Sequence, residues 1–247
     1  MIRILLVLLQ IQNGISKCQR RVLFVGNFNK KRKVFVMSTI SCLKIKCAVC
    51  GMESEQSVLT STNAFGSPDL DLRPPEMRRS TMPLWIQECP HCTYISKSLE
   101  NKTSISEDFL RSDEYRMCSN ISFKSDLAKR FYRYYMIKLL NDNCYDAFYA
   151  VLHASWACDD VDDKDNAIHC RKLAIIEIEK LIRITNDETL KVQRADLLRR
   201  AGLFDIVINE YGASNFEDDT LQKIISFQIE KANQEDVNCY TVADAIK

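Results

Sequence analysis

Cys47-Ala48-Val49-Cys50-Gly51, answered 38 residues later by Cys89-Pro90-His91-Cys92-Thr93, decides how the first part of this 247-residue chain folds. Two thiols two residues apart converge on one point when the backbone turns between them. The amides that follow the first cysteine of each pair can then donate to its sulfur. Two such turns, each ending a strand, place four sulfurs at the corners of a tetrahedron. Cys47, Cys50, Cys89 and Cys92 therefore read as ligands of one metal ion, and zinc suits four thiolates in paired turns. Gly51 stands where the backbone after such a turn takes a positive φ, Thr93 holds the matching place in the second turn, and Pro90 presets that turn. The separation exceeds the ~15–20 residues of the shortest fingers, so a loop is inserted between the halves. Four reduced buried cysteines, a redox C-x-x-C and an iron–sulfur cluster are the alternatives. The redox form lacks a strand-to-helix context of the thioredoxin kind. His91 is a spare ligand or an outward polar residue, and the second is expected.

Outward from these pairs, residues 41–105 hold all five prolines of the chain, together with Gly51 and Gly66. Leu43-Lys44-Ile45-Lys46 alternates apolar and polar residues as a half-buried strand does, and Leu84-Trp85-Ile86-Gln87 reads as a second strand. So turn-rich a segment needs a staple, and metal binding supplies ~10–16 kcal/mol in zinc-finger peptides. Residues 106–123 read as a linker with a short helix.

From 124 onward there is no proline, and apolar residues recur three or four apart. One series runs through Leu127, Phe131 and Tyr134, another through Ala167, Cys170, Ala174, Ile178 and Leu181, and a third through Val192, Ala195 and Leu198. Breaks at 141–143, 159–165, 186–187, Gly202 and 212–219 divide the region into about six helices, and short loops make neighbours antiparallel. Ala195, Gly202, Phe204, Val207 and Tyr211 have the spacing of a tetratricopeptide turn, in which a small residue lets two helices approach and a glycine ends the first. A generic helical bundle accounts for the pattern equally well. The fold expected is α+β and mainly α. It divides into a basic leader over 1–36, a small β zinc-ribbon domain over 37–105, a linker over 106–123 and a TPR-like antiparallel helical domain over 124–247.

Charge is unevenly spread. Residues 1–36 carry eight basic residues and no acid, so the near-neutral whole, 34 basic against 33 acidic, hides an acidic body. An acidic body repels phosphates, which argues against broad nucleic-acid binding. In the leader, Ile4-Leu5-Leu6-Val7-Leu8-Leu9 after Arg3 resembles a short signal-peptide core. No A-x-A cleavage site precedes Ala48, the first alanine, and Lys17 spoils the lipobox shape of Ile15-Ser16-Lys17-Cys18. The leader is expected to be unstructured or to precede the protein proper, with Met37 as the start. A folded strand or anchor and an export signal are the other readings. No run reaches the ~18 apolar residues of a membrane span.

The insert Pro68-Asp69-Leu70-Asp71-Leu72-Arg73-Pro74-Pro75-Glu76-Met77-Arg78-Arg79 alternates acids and bases between prolines. Asp69, Asp71, Arg73 and Arg78 are candidates for binding an anionic or peptide partner. Alternatively they pair with one another and with the helices. The acid run 159–165 lacks the glycine and glutamate of an EF-hand and reads as a loop whose last acids cap the next helix. His153, Cys158, His169 and Cys170 read as core positions before a second metal site. Phe131-Tyr132-Arg133-Tyr134-Tyr135 reads as core with Arg133 snorkelled outward, before a stacking surface for bases. No phosphate-binding glycine loop, G-x-S-x-G or H-E-x-x-H occurs, and three histidines give little to an acid–base enzyme.

Cys47, Cys50 and Gly51, then residues 68–73 with Pro74, Pro75 and Arg78, then Trp85, Cys89, Pro90, Cys92 and Tyr94, all ahead of TPR-like helices, resemble an uncharacterised prokaryotic family. That family combines a split zinc ribbon with a helical repeat domain. The likeness covers roughly 40–245, and Thr93 departs from its C-G-Y form. The resemblance implies an architecture and one structural zinc ion, with no established activity. Together these readings lead to a cytoplasmic, non-enzymatic, zinc-binding protein with a helical surface for a protein or peptide partner. Eleven cysteines in this spacing suit a reducing compartment better than a disulfide frame. A nucleic-acid-binding ribbon and a thiol-redox enzyme are the alternatives.

Overall fold

The computed structural model describes residues 19–24, 35–117 and 121–247. The apolar run after Arg3 and the lipobox-like tetrapeptide lie outside the described residues. Part of the leader does take regular structure. Gln19–Phe24 forms β1 and pairs antiparallel with Phe35–Lys46 (β2), which contains Met37. Glu53–Thr62 (β3) pairs antiparallel on the other side of β2, in a hairpin that closes at Lys46 opposite Glu53. Of β2 and β3 only Ile45 is buried among the described side chains, and Leu43 is exposed despite its alternation. Among the described side chains, the half of the hairpin nearer the cysteines packs on the rest of the molecule, with Val58 half-buried against the core.

The run read as a second strand is mostly a turn. Residues Arg79–Leu84 form a 3-10 helix, and the Trp85 amide donates to the Met82 carbonyl. Pro83 has no N–H to give to a strand ladder, which favours the tight turn. Strand geometry starts at Gln87–Glu88 (β4), paired antiparallel with Ile95–Ser96 (β5).

The molecule is otherwise helical. The expected linker carries Glu107–Arg111 (α1) and Asp113–Met117 (α2), whose Leu110 and Tyr115 are buried in the core. Then come Asp126–Leu139 (α3), Cys144–Asp159 (α4), Lys164–Thr185 (α5), Glu188–Arg200 (α6), Phe204–Tyr211 (α7), Asp219–Asn233 (α8) and Val242–Ala245 (α9). Ser125, Asn143, Asp187 and Asp218 cap α3, α4, α6 and α8 by accepting from backbone amides of the first turn. Asn186 and Gly202 end α5 and α6 in the left-handed region. Ten of the sixteen residues of α4 are buried, as suits a helix packed against both α3 and α5.

Buried side chains form one cluster that runs from Ile45 through Cys89, Ile95 and Leu99 into the helices as far as Ala232, so the cysteine region and the helices share a core. The insert and the C-terminal segment are joined: the Leu70 amide donates to the Tyr240 carbonyl and the Val242 amide to the Pro68 carbonyl, both at 2.9 Å. Among the described residues no helix is long and apolar enough to cross a membrane.

Candidate metal centre

Each cysteine pair occupies the turn of a short hairpin, and the two turns have the same backbone plan. In the β2–β3 turn the Cys47 amide donates to the Met52 carbonyl and the Gly51 amide to the Cys47 carbonyl, both at 2.9 Å. In the β4–β5 turn the Cys89 amide donates to the Tyr94 carbonyl at 2.8 Å and the Thr93 amide to the Cys89 carbonyl at 2.9 Å. Gly51 has φ +72° and Thr93 has φ 63°. The position after each second cysteine is therefore left-handed, and threonine occupies it at a steric cost that glycine avoids.

The four sulfurs meet. Cys47 Sγ lies 3.7 Å from Cys92 Sγ, and Cys50 Sγ lies 3.7 Å from Cys89 Sγ. All four lie within 4.8 Å of one another. A tetrahedron with metal–sulfur bonds of ~2.3 Å has edges of about 3.8 Å, so these separations fit one ion at the centre. Cys47 and Cys89 are buried, while Cys50 and Cys92 are partly accessible. Among the described residues this is the one group of three or more cysteine, histidine or carboxylate ligands placed to share an ion.

The backbone prepares the sulfurs for negative charge. Burial opposes ionisation of Cys89, but the amides of Cys92 and His91 donate to its sulfur and bring the thiol below its ordinary value. Burial raises the Cys47 thiol despite the amides of Cys50 and Val49, and burial also raises Cys92 against the Tyr94 amide. A cation among the sulfurs would overcome both effects, because a coordinated thiol gives up its proton.

The second turn is clamped to the helices. The Thr93 carbonyl accepts from Arg133 Nη2 at 2.6 Å and from the Tyr115 hydroxyl at 3.3 Å. Arg133 Nη1 reaches Glu88 Oε1 at 2.7 Å, and Arg130 pairs with the same carboxylate at 3.3 Å. Arg133 is thus buried and turned toward β4 instead of snorkelled outward, while the neighbouring Phe131, Tyr132, Tyr134 and Tyr135 are core as expected. The first turn is held by the Ala48 amide, which donates to the Leu99 carbonyl at 2.8 Å. His91 is exposed, with Nε2 3.4 Å from the Glu53 carbonyl.

The insert behaves differently from a free recognition loop. Asp71 is fully buried: its Oδ2 accepts from Trp156 Nε1 at 2.7 Å and from Arg200 Nη1 at 3.0 Å, and its carbonyl accepts from Gln193 at 2.7 Å. Arg73 is buried and grips both oxygens of Asp160 at 2.7 Å. Asp69 pairs with Arg79 at 2.7 Å, and Arg78 alone of the four candidates is exposed. Asp159 binds Arg171 and Arg200, so the first acids of the 159–165 run hold charges from distant elements. Asp163 does sit at the start of α5, yet its carboxylate accepts from the Lys124 amide at 2.9 Å. Cys158 and Cys170 are core, and His153 lies among the rings of Trp85, Phe131, Tyr149 and Trp156.

Sequence reasoning missed Arg133, Tyr115, Arg79 and Trp156. Arg133 and Trp156 sit in helical periodicity that marks them only as interior positions, and nothing local signals their partners. No protein-family profile, no curated protein and no solved structure matches this chain.

Proposed function

We propose that this protein is a zinc-stabilised, non-enzymatic adaptor of the reducing cytoplasm, with a split zinc ribbon over 37–105 joined to TPR-like helices that receive a protein or peptide partner. The observation that carries the zinc is the meeting of four sulfurs at tetrahedral separations in two hairpin turns of one plan. Paired turns of this kind are a structural zinc arrangement, closed to substrate because all four positions are filled by protein. The resemblance to the split-ribbon family supports the same reading. The adaptor role draws support from the helix pairs α4–α5 and α6–α7 and from Ile176 and Ile184, exposed on the outer side of α5. Free thiols at all nine described cysteines suit a reducing compartment.

Native mass spectrometry of the full chain, before and after acid denaturation, tests the zinc. One additional zinc mass is expected, lost on denaturation and absent from Cys89→Ser. A folded chain that never carries the ion would overturn the reading.

A further inference from the structure

A cavity of about 370 Å³ is bounded by β5, residues 101–104, the last turns of α3 and the first turn of α4. That volume is at the small end of the ~300–1,000 Å³ typical of ligand sites. Its lining is polar. Lys97, Lys102 and Lys138 face it, with Asp146 as the only acid among the residues that line it. Asp146 is already held by Lys97 at 2.6 Å and Lys138 at 3.3 Å, and burial notwithstanding, these lysines keep its carboxyl below its ordinary value. The wall therefore retains an excess of positive charge, with Lys102 exposed and making no ion pair among the described residues.

Two hydroxyls in the same wall await an acceptor. Tyr94 is 4 % exposed and Ser96 is 6 % exposed, and both line the cavity. Neither hydroxyl has a hydrogen-bond partner among the described residues. This is unusual within the molecule. The buried tyrosines Tyr115, Tyr134, Tyr135 and Tyr211 all donate to an oxygen, at 3.3, 3.5, 3.3 and 2.9 Å. Neither hydroxyl oxygen is sealed from solvent, so each can exchange water for a ligand rich in acceptor oxygens. Ammonium groups in excess and unpaired hydroxyl donors share one complement: a small anion whose oxygens only accept.

We propose that this cavity binds a small phosphate-bearing molecule with at least two negative charges. Lys102 and Lys97 meet the charge, and Tyr94 and Ser96 donate to the phosphate oxygens. A bound phosphate would join β5, and with it the second cysteine turn, to α3 and α4. The site is independent of the adaptor reading and needs only the fold.

Calorimetric titration of the full chain with inorganic pyrophosphate, at low salt and without magnesium, tests it. The metal content of the protein is checked after the titration. Saturable binding at one site is expected, weakened at least tenfold by Lys102→Ala and by Ser96→Ala and unchanged by Lys223→Ala on α8. Lys102 is exposed, so its loss leaves the fold intact. Absence of saturable binding would overturn the proposal, as would wild-type affinity in both cavity variants. Equal affinity for malonate, a dianion without phosphate, would overturn the assignment of phosphate.

Discussion

Thr93→Gly is expected to stabilise this protein, although it shortens a side chain beside one of the four clustered cysteines. Thr93 has φ 63°, in the left-handed region. That region costs an L-residue roughly 1–2 kcal/mol, and a β-branched one is the least tolerant. Glycine avoids the clash but gives up ~0.5–1 kcal/mol through the greater freedom of its unfolded chain. The threonine side chain is exposed, and its hydroxyl makes no hydrogen bond among the described residues. The bonds that matter use backbone atoms that glycine retains: its amide to the Cys89 carbonyl at 2.9 Å, and its carbonyl from Arg133 at 2.6 Å. The net gain is therefore about 0.5–1 kcal/mol, or about 1–4 °C in Tm for a chain of this size. Gly51→Ala is the mirror experiment. A Cβ at Gly51 meets only Lys46 Cε, at 3.8 Å, so crowding adds nothing and the strain of φ +72° acts alone. A loss of about 1 kcal/mol is expected. Urea unfolding of both variants at pH 7 with zinc in excess, followed by circular dichroism, reads the two shifts. A lower midpoint for Thr93→Gly, or an unchanged one for Gly51→Ala, would refute the claim that the turns share one backbone plan with a left-handed residue at the end.

Two further perturbations address the interior. Asp71→Ala removes the acceptor of Trp156 and one of the two carboxylates that hold Arg200, leaving Asp159 at 2.9 Å. Breaking a buried pair costs about 3–5 kcal/mol, and the lower end is expected because Arg200 keeps a partner; a loss under about 1 kcal/mol in urea unfolding would contradict the burial of the insert. His153 is held neutral: burial, with the charges of Lys97 and Arg73, pushes its pKa down to about 3 from 6.5. The unfolded chain takes up this proton as pH falls below 6.5 and the folded chain does not, so stability present above that pH is lost on acidification. By pH 5 the loss reaches up to about 2 kcal/mol. His153→Phe, which keeps a ring among the four aromatic neighbours, is expected to lose less stability than the parent between pH 7 and 5, and parallel losses in the two proteins would show that the histidine is not held neutral.

Physical range separates what was legible from what was not. The cysteine pairs were legible because ligand convergence depends on a two-residue spacing and a turn, both local. The breaks between α3, α4, α5, α6, α7 and α8 were legible because capping residues, Gly202 and the 3.6-residue period act within one or two turns of helix. The strand at 84–87 was misjudged because Pro83 and the Met82 carbonyl drew the chain into a 3-10 turn, and apolar composition alone does not distinguish the two. Residues 106–123 do carry short helices, but the burial of Leu110 and Tyr115 was not legible, because it depends on partners elsewhere in the chain.

The fate of the charges was decided by tertiary structure alone. Asp71 and Arg200 are 129 residues apart and meet in a dry interior. Arg133 reaches a carbonyl 40 residues away and so fixes the second cysteine turn on a helix. In the sequence each of these residues is one charge among many, and an exposed pairing of any of them would have served as well. Burial makes the difference: once packing excludes water, a charge must find the one partner that the fold places within reach. Local chemistry thus determined where the four clustered cysteines and the helices lie, and packing over long range determined which acids and bases bind them into one body.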